Sequence, residues 1–159
     1  MAMHTWFECK IRYEKVMENG MQKKVTEPYL VDALSFTEAE ARIIEEMTPF
    51  ISGEFTVSDI KRANYSELFP SDEESADRWF KCKLIFITLD EKSGAEKKTS
   101  TQVLVQAADL RDAVKKLDEG MKGTMADYQI GMVSETPLMD VYPYSAEPND
   151  KPEFDPLKA

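Results

Sequence analysis

Apolar and polar residues alternate along the chain from Trp6 to Val16. Phe7, Cys9, Ile11 and Tyr13 share one parity, and Trp6, Glu8, Lys10 and Arg12 share the other. A period of two places successive side chains on opposite faces, so a half-buried strand is expected over 6–16. Asn19-Gly20 then supplies the positive-φ positions of a tight hairpin. A second strand is expected over 23–34, with Tyr29, Val31 and Ala33 on one face. The period then changes. Ser35 suits a helix N-cap, and Glu38 three residues on completes a capping box. Phe36, Ala39, Ile43 and Met47 form one apolar helical stripe, with Glu40, Glu45 and Glu46 off it. Pro49 stops the helix and Gly53 turns the chain. A third strand is expected from Glu54 to about Asp59, with Phe55 and Val57 inward, running irregularly to Phe69-Pro70.

The same pattern then begins again. Trp6-Phe7-Glu8-Cys9-Lys10-Ile11 returns as Trp79-Phe80-Lys81-Cys82-Lys83-Leu84, an offset of 73. Phe80, Cys82, Leu84 and Phe86 repeat the inward parity, and Gly94 occupies the second hairpin. Val103, Val105 and Ala107 match Tyr29, Val31 and Ala33 at an offset of 74. Asp109 and Asp112 replace the capping residues Ser35 and Glu38, and Leu110, Ala113, Leu117 and Met121 repeat the stripe. Tyr128 and Ile130 match Phe55 and Val57 at an offset of 73, and Tyr142-Pro143 matches Phe69-Pro70. Insertions confined to loops are the mark of a structural repeat. An α+β fold is therefore expected, built by tandem duplication of a β-β-α-β unit with helices on one face of antiparallel sheet. The boundaries read as a first repeat over 1–69, an acidic linker over 70–78, a second repeat over 79–144 and a disordered acidic tail over 145–159. Neither half is long enough to bury much core alone, so the two repeats are expected to form one compact unit.

Composition narrows the function more than the fold. The 159 residues carry a net charge of −10, which disfavours non-specific binding to nucleic acid or anionic membranes by the protein as a whole. Membrane binding is not expected, because no apolar run approaches the roughly 20 residues of a bilayer span. No charged segment followed by an apolar one opens the chain, and two cysteines do not make a disulfide framework. A reducing cytoplasm is the expected location.

Catalytic chemistry finds little to work with. One histidine, His4, and two cysteines 73 residues apart do not supply a metal site. Cys9 and Cys82 read as small buried hydrophobes. No nucleophile elbow or glycine-rich phosphate loop is present, and the helical carboxylates lie on solvent faces. No enzymatic activity and no cofactor are expected.

Charge is unevenly distributed. The first hairpin, residues 1–27, has five basic and four acidic residues, and the second, residues 79–101, has five and three. The outward parity of their first strands combines Trp6, Lys10 and Arg12 with Trp79, Lys81 and Lys83. Rings and cations on an open sheet face are what single-stranded nucleic acid binding uses. Against that, lysines on strands often serve solubility, and Ile85 and Ile87 interrupt the basic stripe. The primary expectation is a protein-binding adaptor or regulator. A single-stranded nucleic-acid platform on the Trp/Lys face is the alternative, and an acidic DNA mimic built on the helical carboxylates is a third reading.

The Trp-Phe-x-Cys-Lys starts, the segments Leu30-Val31-Asp32-Ala33 and Ser35-Phe36-Thr37-Glu38-Ala39-Glu40, and Leu104-Val105-Gln106-Ala107 together resemble family 4494 of the domains of unknown function. The resemblance spans about residues 5–144. It implies an α+β fold with internal duplication and an origin in gut bacteria or their phages. It implies no catalytic residue.

Overall fold

The computed structural model of the chain describes residues 5–143. The tail expected over 145–159 lies outside them. The fold is α+β, with two helices and eight strands among the described residues. In chain order these are β1 (Trp6–Val16), β2 (Gln22–Asp32), α1 (Phe36–Met47), β3 (Phe55–Ala63), β4 (Glu67–Phe69), β5 (Arg78–Leu89), β6 (Glu96–Ala107), α2 (Leu110–Gly120), β7 (Asp127–Glu135) and β8 (Asp140–Tyr142). They form two four-stranded sheets, ordered β3-β1-β2-β8 and β4-β6-β5-β7.

The chain divides into two compact units. Among the described residues, one comprises 5–63 and 138–143, the other 64–137. These bounds differ from those of the sequence repeats. The short strand that ends each repeat belongs to the unit built mainly from the other repeat. β4 follows β3 in sequence yet pairs with β6, and β8 follows β7 yet pairs with β2. Both pairings are parallel, so each sheet is mixed rather than wholly antiparallel. The acidic stretch 70–78 lies within the second unit and does not join the two. The chain passes between units at 63–64 and at 137–138.

The first unit follows its residue pattern closely. Gly20 adopts φ 82° in the β1–β2 hairpin, a conformation that costs glycine little. The hairpin pairs Phe7 with Val31, Cys9 with Tyr29 and Ile11 with Glu27. On the inward face, Phe7, Cys9, Ile11, Val31 and Ala33 pack with Ala39, Ile43 and Met47 of α1. Ser35 caps α1 by accepting the Glu38 N–H at 3.1 Å. Glu38 Oε1 reaches one residue further back than expected, accepting the Leu34 N–H at 2.7 Å. Phe36 is half exposed and meets Phe7 edge-on at 4.9 Å.

The second unit repeats the plan. Asp109 caps α2 through the Asp112 N–H at 2.8 Å, and Asp112 accepts the Ala108 N–H at 2.9 Å. Cys82, Leu84, Val103, Val105 and Leu117 form the inner core. The edge strand of each sheet bulges at the same place. Ser58 falls between the partners of Lys10 and Ile11, and Gly131 between those of Lys83 and Leu84.

A cation on the helix secures the end of the borrowed strand in each unit. Arg42 of α1 donates to the Asp32 carbonyl and, at 3.3 Å, to the Pro143 carbonyl just past β8. Its counterpart on α2, Lys116, donates to Ser71 Oγ at 3.2 Å just past β4. Lys116 also pairs with Glu73 at 2.7 Å and with Asp112 at 2.9 Å. Hydrogen bonds from a charged donor contribute more than neutral ones. Arg42→Ala is therefore expected to destabilise the first unit by about 1–2 kcal/mol, read as a lower urea midpoint, with Arg42→Lys losing less. An unchanged midpoint for Arg42→Ala would remove the clamp from the account.

A tyrosine and carboxylate cleft in the first unit

The six residues expected to make a binding face divide by burial. Trp6 is 2% exposed and Trp79 5%. Neither ring is available to stack on a base. Lys10 and Lys81 are half-buried, and Arg12 and Lys83 are exposed. Leu30 and Leu104 share the outward parity and are fully buried. The outward face is thus closed at its Trp end; beyond it the first unit carries Lys10 and Arg12, and the second carries Lys81 and Lys83 followed by Ile85 and Ile87. Both cysteines are buried in their units' cores, and burial pushes their thiols up, to about 12 for Cys9 and about 11 for Cys82. Neither is poised as a nucleophile. Among the described residues, no cluster of three or more His, Cys, Asp or Glu is placed to hold a metal ion. No helix there is long and apolar enough to cross a membrane.

The distinctive polar group lies on the other face, beyond the end of α1. Twelve residues of helix span about 18 Å, whereas the 11 residues of β1 reach about 37 Å. The helix therefore covers only the half of the sheet that begins at Phe7. Where it stops, Thr48 donates its hydroxyl to the Ile44 carbonyl at 2.7 Å, and the Phe50 and Ile51 N–H groups bond to Met47. This turn lays Phe50 and Ile51 along one side of a cleft of about 230 Å³. Tyr13, Tyr29 and Tyr142 line it from β1, β2 and β8, with Met47 from the helix and Met139 and Asp140 at the opposite rim. Tyr29 and Tyr142 lie nearly parallel, their ring centroids 6.2 Å apart. Phe50 is 76% exposed and Met139 51%.

Glu27 organises the tyrosines. It sits on the inward parity of β2 and is only 9% exposed. Its Oε1 accepts the Tyr13 hydroxyl at 2.9 Å and the Tyr29 hydroxyl at 3.3 Å. Lys15 approaches the other oxygen at 3.6 Å, but the lysine is half exposed, and such pairs contribute little. Burial pushes the Tyr13 phenol up to about 12, helped by the hydrogen bond and charge of Glu27. Tyr29 is raised further, by burial and then by Glu27. Burial also takes Tyr142 to about 12, with Asp140 and then Glu46 adding to the shift. The three phenols thus stay protonated, and three carboxylates bear on one aromatic cleft.

The second unit has no counterpart. At the matching positions stand Phe86 for Tyr13, Thr101 for Glu27, Val103 for Tyr29 and Phe69 for Tyr142. Gly120 replaces Glu46, and a Cβ there would fall 2.9 Å from the Phe69 ring. Phe69 and Phe86 instead pack on the second core. The cleft escaped a reading fixed on likenesses between the repeats. Its signal was a difference: a carboxylate, Glu27, on a parity otherwise given to core.

The chain matches the family described as "Domain of unknown function (DUF4494)" over residues 5–144 and belongs to it. No curated protein and no solved structure matches the chain.

A tyrosine whose folded pKa is raised contributes stability that is full below its unfolded value, about 10, and lost as pH rises through the folded one. Tyr13 and Tyr142 are expected to ionise near 12, with stability falling between those limits. Glu27→Gln should lower the Tyr13 value and leave that of Tyr142 higher, as followed by NMR of ring-labelled tyrosine. Ionisation of both near 10 in the intact protein would contradict the described environment.

Proposed function

We propose that this member of the family is a non-catalytic module that binds a protein partner, working without a cofactor in a reducing cytoplasm. The observation that carries the reading is the open cleft of the first unit. An aromatic side chain as exposed as Phe50, beside Met139 and over a floor of ordered tyrosines, is a feature of recognition surfaces. The exposed Val16, Met17 and Met21 at the β1–β2 hairpin tip add apolar surface to the same unit. The strand edges add nothing comparable: β2 and β6 carry Lys23-Lys24 and Lys97-Lys98 where β8 and β4 no longer cover them, a pattern that discourages strand addition.

The nucleic-acid alternative keeps its cations and loses its rings, because Trp6 and Trp79 are buried and stacking supplies much of such binding. The acidic-mimic reading rests on helix faces whose carboxylates are ordinary for a solvated surface. We also read the chain as a tandem duplication, on the matched offsets, caps and bulges. On that reading the cleft distinguishes the first copy from the second.

A photo-crosslinking residue at Phe50 or Met139 is expected to trap a discrete protein in the native host. The same residue at Met125, 98% exposed in the second unit, should not. Equal products at all three positions, or none at the cleft, would overturn the reading. Single-stranded DNA at low salt is expected to leave the tryptophan emission unchanged, and salt-sensitive quenching would restore the nucleic-acid alternative.

A further inference from the structure

We propose that the cleft of the first unit receives a lysine or arginine side chain of a protein partner, held between tyrosine rings and the carboxylates around them. The inference rests on the protein-binding reading above and specifies the chemistry of the contact. Size is the first argument. At about 230 Å³ the cleft falls below the roughly 300–1,000 Å³ of pockets that enclose small-molecule ligands and cofactors. It fits one side chain, open on the side from which a polypeptide would approach.

Charge is the second. Glu27 lies behind Tyr13 and Tyr29, and Asp140 and Glu46 lie beside Tyr142. Lys15 contacts Glu27 from an exposed position, and among the described residues the cleft is lined by Asp140 and by no cation, with Glu27 and Glu46 set behind the rings. An anionic guest would meet these carboxylates, and an aliphatic one would offer no counter-charge to Asp140, whose Oδ1 accepts the Val141 N–H at 2.8 Å. A cation satisfies both the rings and the acids. Attraction between a cation and an aromatic face strengthens as the pair is desolvated.

Comparison of the two units is the third. The second unit keeps the register, caps and bulge but has Phe69, Thr101, Val103 and Gly120 at the equivalent sites. The fold therefore does not require Glu27, Glu46 or the three phenols, whereas the position of Asp140 keeps an acid, Glu67, in the second unit. Glu27 brings a carboxylate onto a core-facing position, which is costly unless bonded, and two tyrosine hydroxyls provide those bonds.

The test uses the 15N-labelled full chain and an acetylated, amidated pentapeptide with one central lysine flanked by glycines. Titration is expected to shift the amides of Tyr13, Tyr29, Ile51 and Tyr142 saturably. Acetylating the lysine removes its charge and should weaken binding about tenfold, equivalent to about 1.4 kcal/mol. Glu27→Gln and Tyr142→Leu should each weaken it about threefold to tenfold, with thermal melts confirming that the variants fold. If Tyr142→Leu unfolds, Phe50→Ala at the exposed rim replaces it. Glu91→Gln, which removes one charge from the hairpin of the other unit, should change nothing. Equal binding of the acetylated peptide, shifts spread over both units, or an equal loss in Glu91→Gln would overturn the proposal, because net charge alone would then explain the binding. A partner trapped at Phe50 together with no lysine-dependent shift would overturn the cationic occupant and leave the protein-binding reading intact. Failure of both would remove both.

Discussion

The first unit depends on a strand that arrives from the far end of the chain. Asp140–Tyr142 lies parallel to Tyr29–Val31 and adds the fourth strand to the sheet. Arg42 fixes the chain just beyond it by reaching the Pro143 carbonyl from α1. The 74 residues of the second unit lie between β3 and this strand. A parallel neighbour requires a long connection, and here a complete unit provides it. The first unit is therefore discontinuous in sequence, and its last strand carries Tyr142 and Asp140 into the cleft. Completion of the sheet and construction of the cleft are one event.

The two units show how one backbone plan tolerates two kinds of contact. Register, helix caps and the bulge at Ser58 or Gly131 are common to both. In the second unit the sheet beyond the helix closes with Phe69 and Phe86, which, like Met121, pack on the second core. In the first, the corresponding positions carry phenols around a buried carboxylate. Apolar closure is non-directional and rewards area. The tyrosine network demands geometry, since each hydroxyl must find Glu27 and the carboxylate must be satisfied. The polar version gives up some apolar burial and leaves an open cleft.

The elements were legible in the sequence because parity and helical spacing record which faces are buried. Phe7, Cys9 and Ile11 on one strand, and Ala39, Ile43 and Met47 on one helix, mark out the first core by their spacing. The caps at Ser35 and Asp109 are equally local. Partner choice for β4 and β8 is not local. Nothing in Glu67–Phe69 or Asp140–Tyr142 states which sheet each three-residue strand joins, and the pairings with β6 and β2 shift the unit boundaries away from those of the repeats. Burial of Trp6 and Trp79 was hidden for a related reason. Alternation separates the two faces of a strand but does not say whether the second face is also covered. The cleft was half legible: Glu27 interrupts an inward row of apolar residues, but Tyr142, Met139 and Phe50 converge on it only in three dimensions.

The most direct test of this account is hydrogen–deuterium exchange on two chains, one ending at Pro143 and one at Pro137. Loss of the last strand should strip protection from β2 and from α1, which packs on the incomplete sheet, while β5, β6 and α2 of the second unit keep theirs. Equal exchange in the two chains, or loss of protection across 64–137 as well as the first unit, would contradict a first unit completed by Asp140–Tyr142.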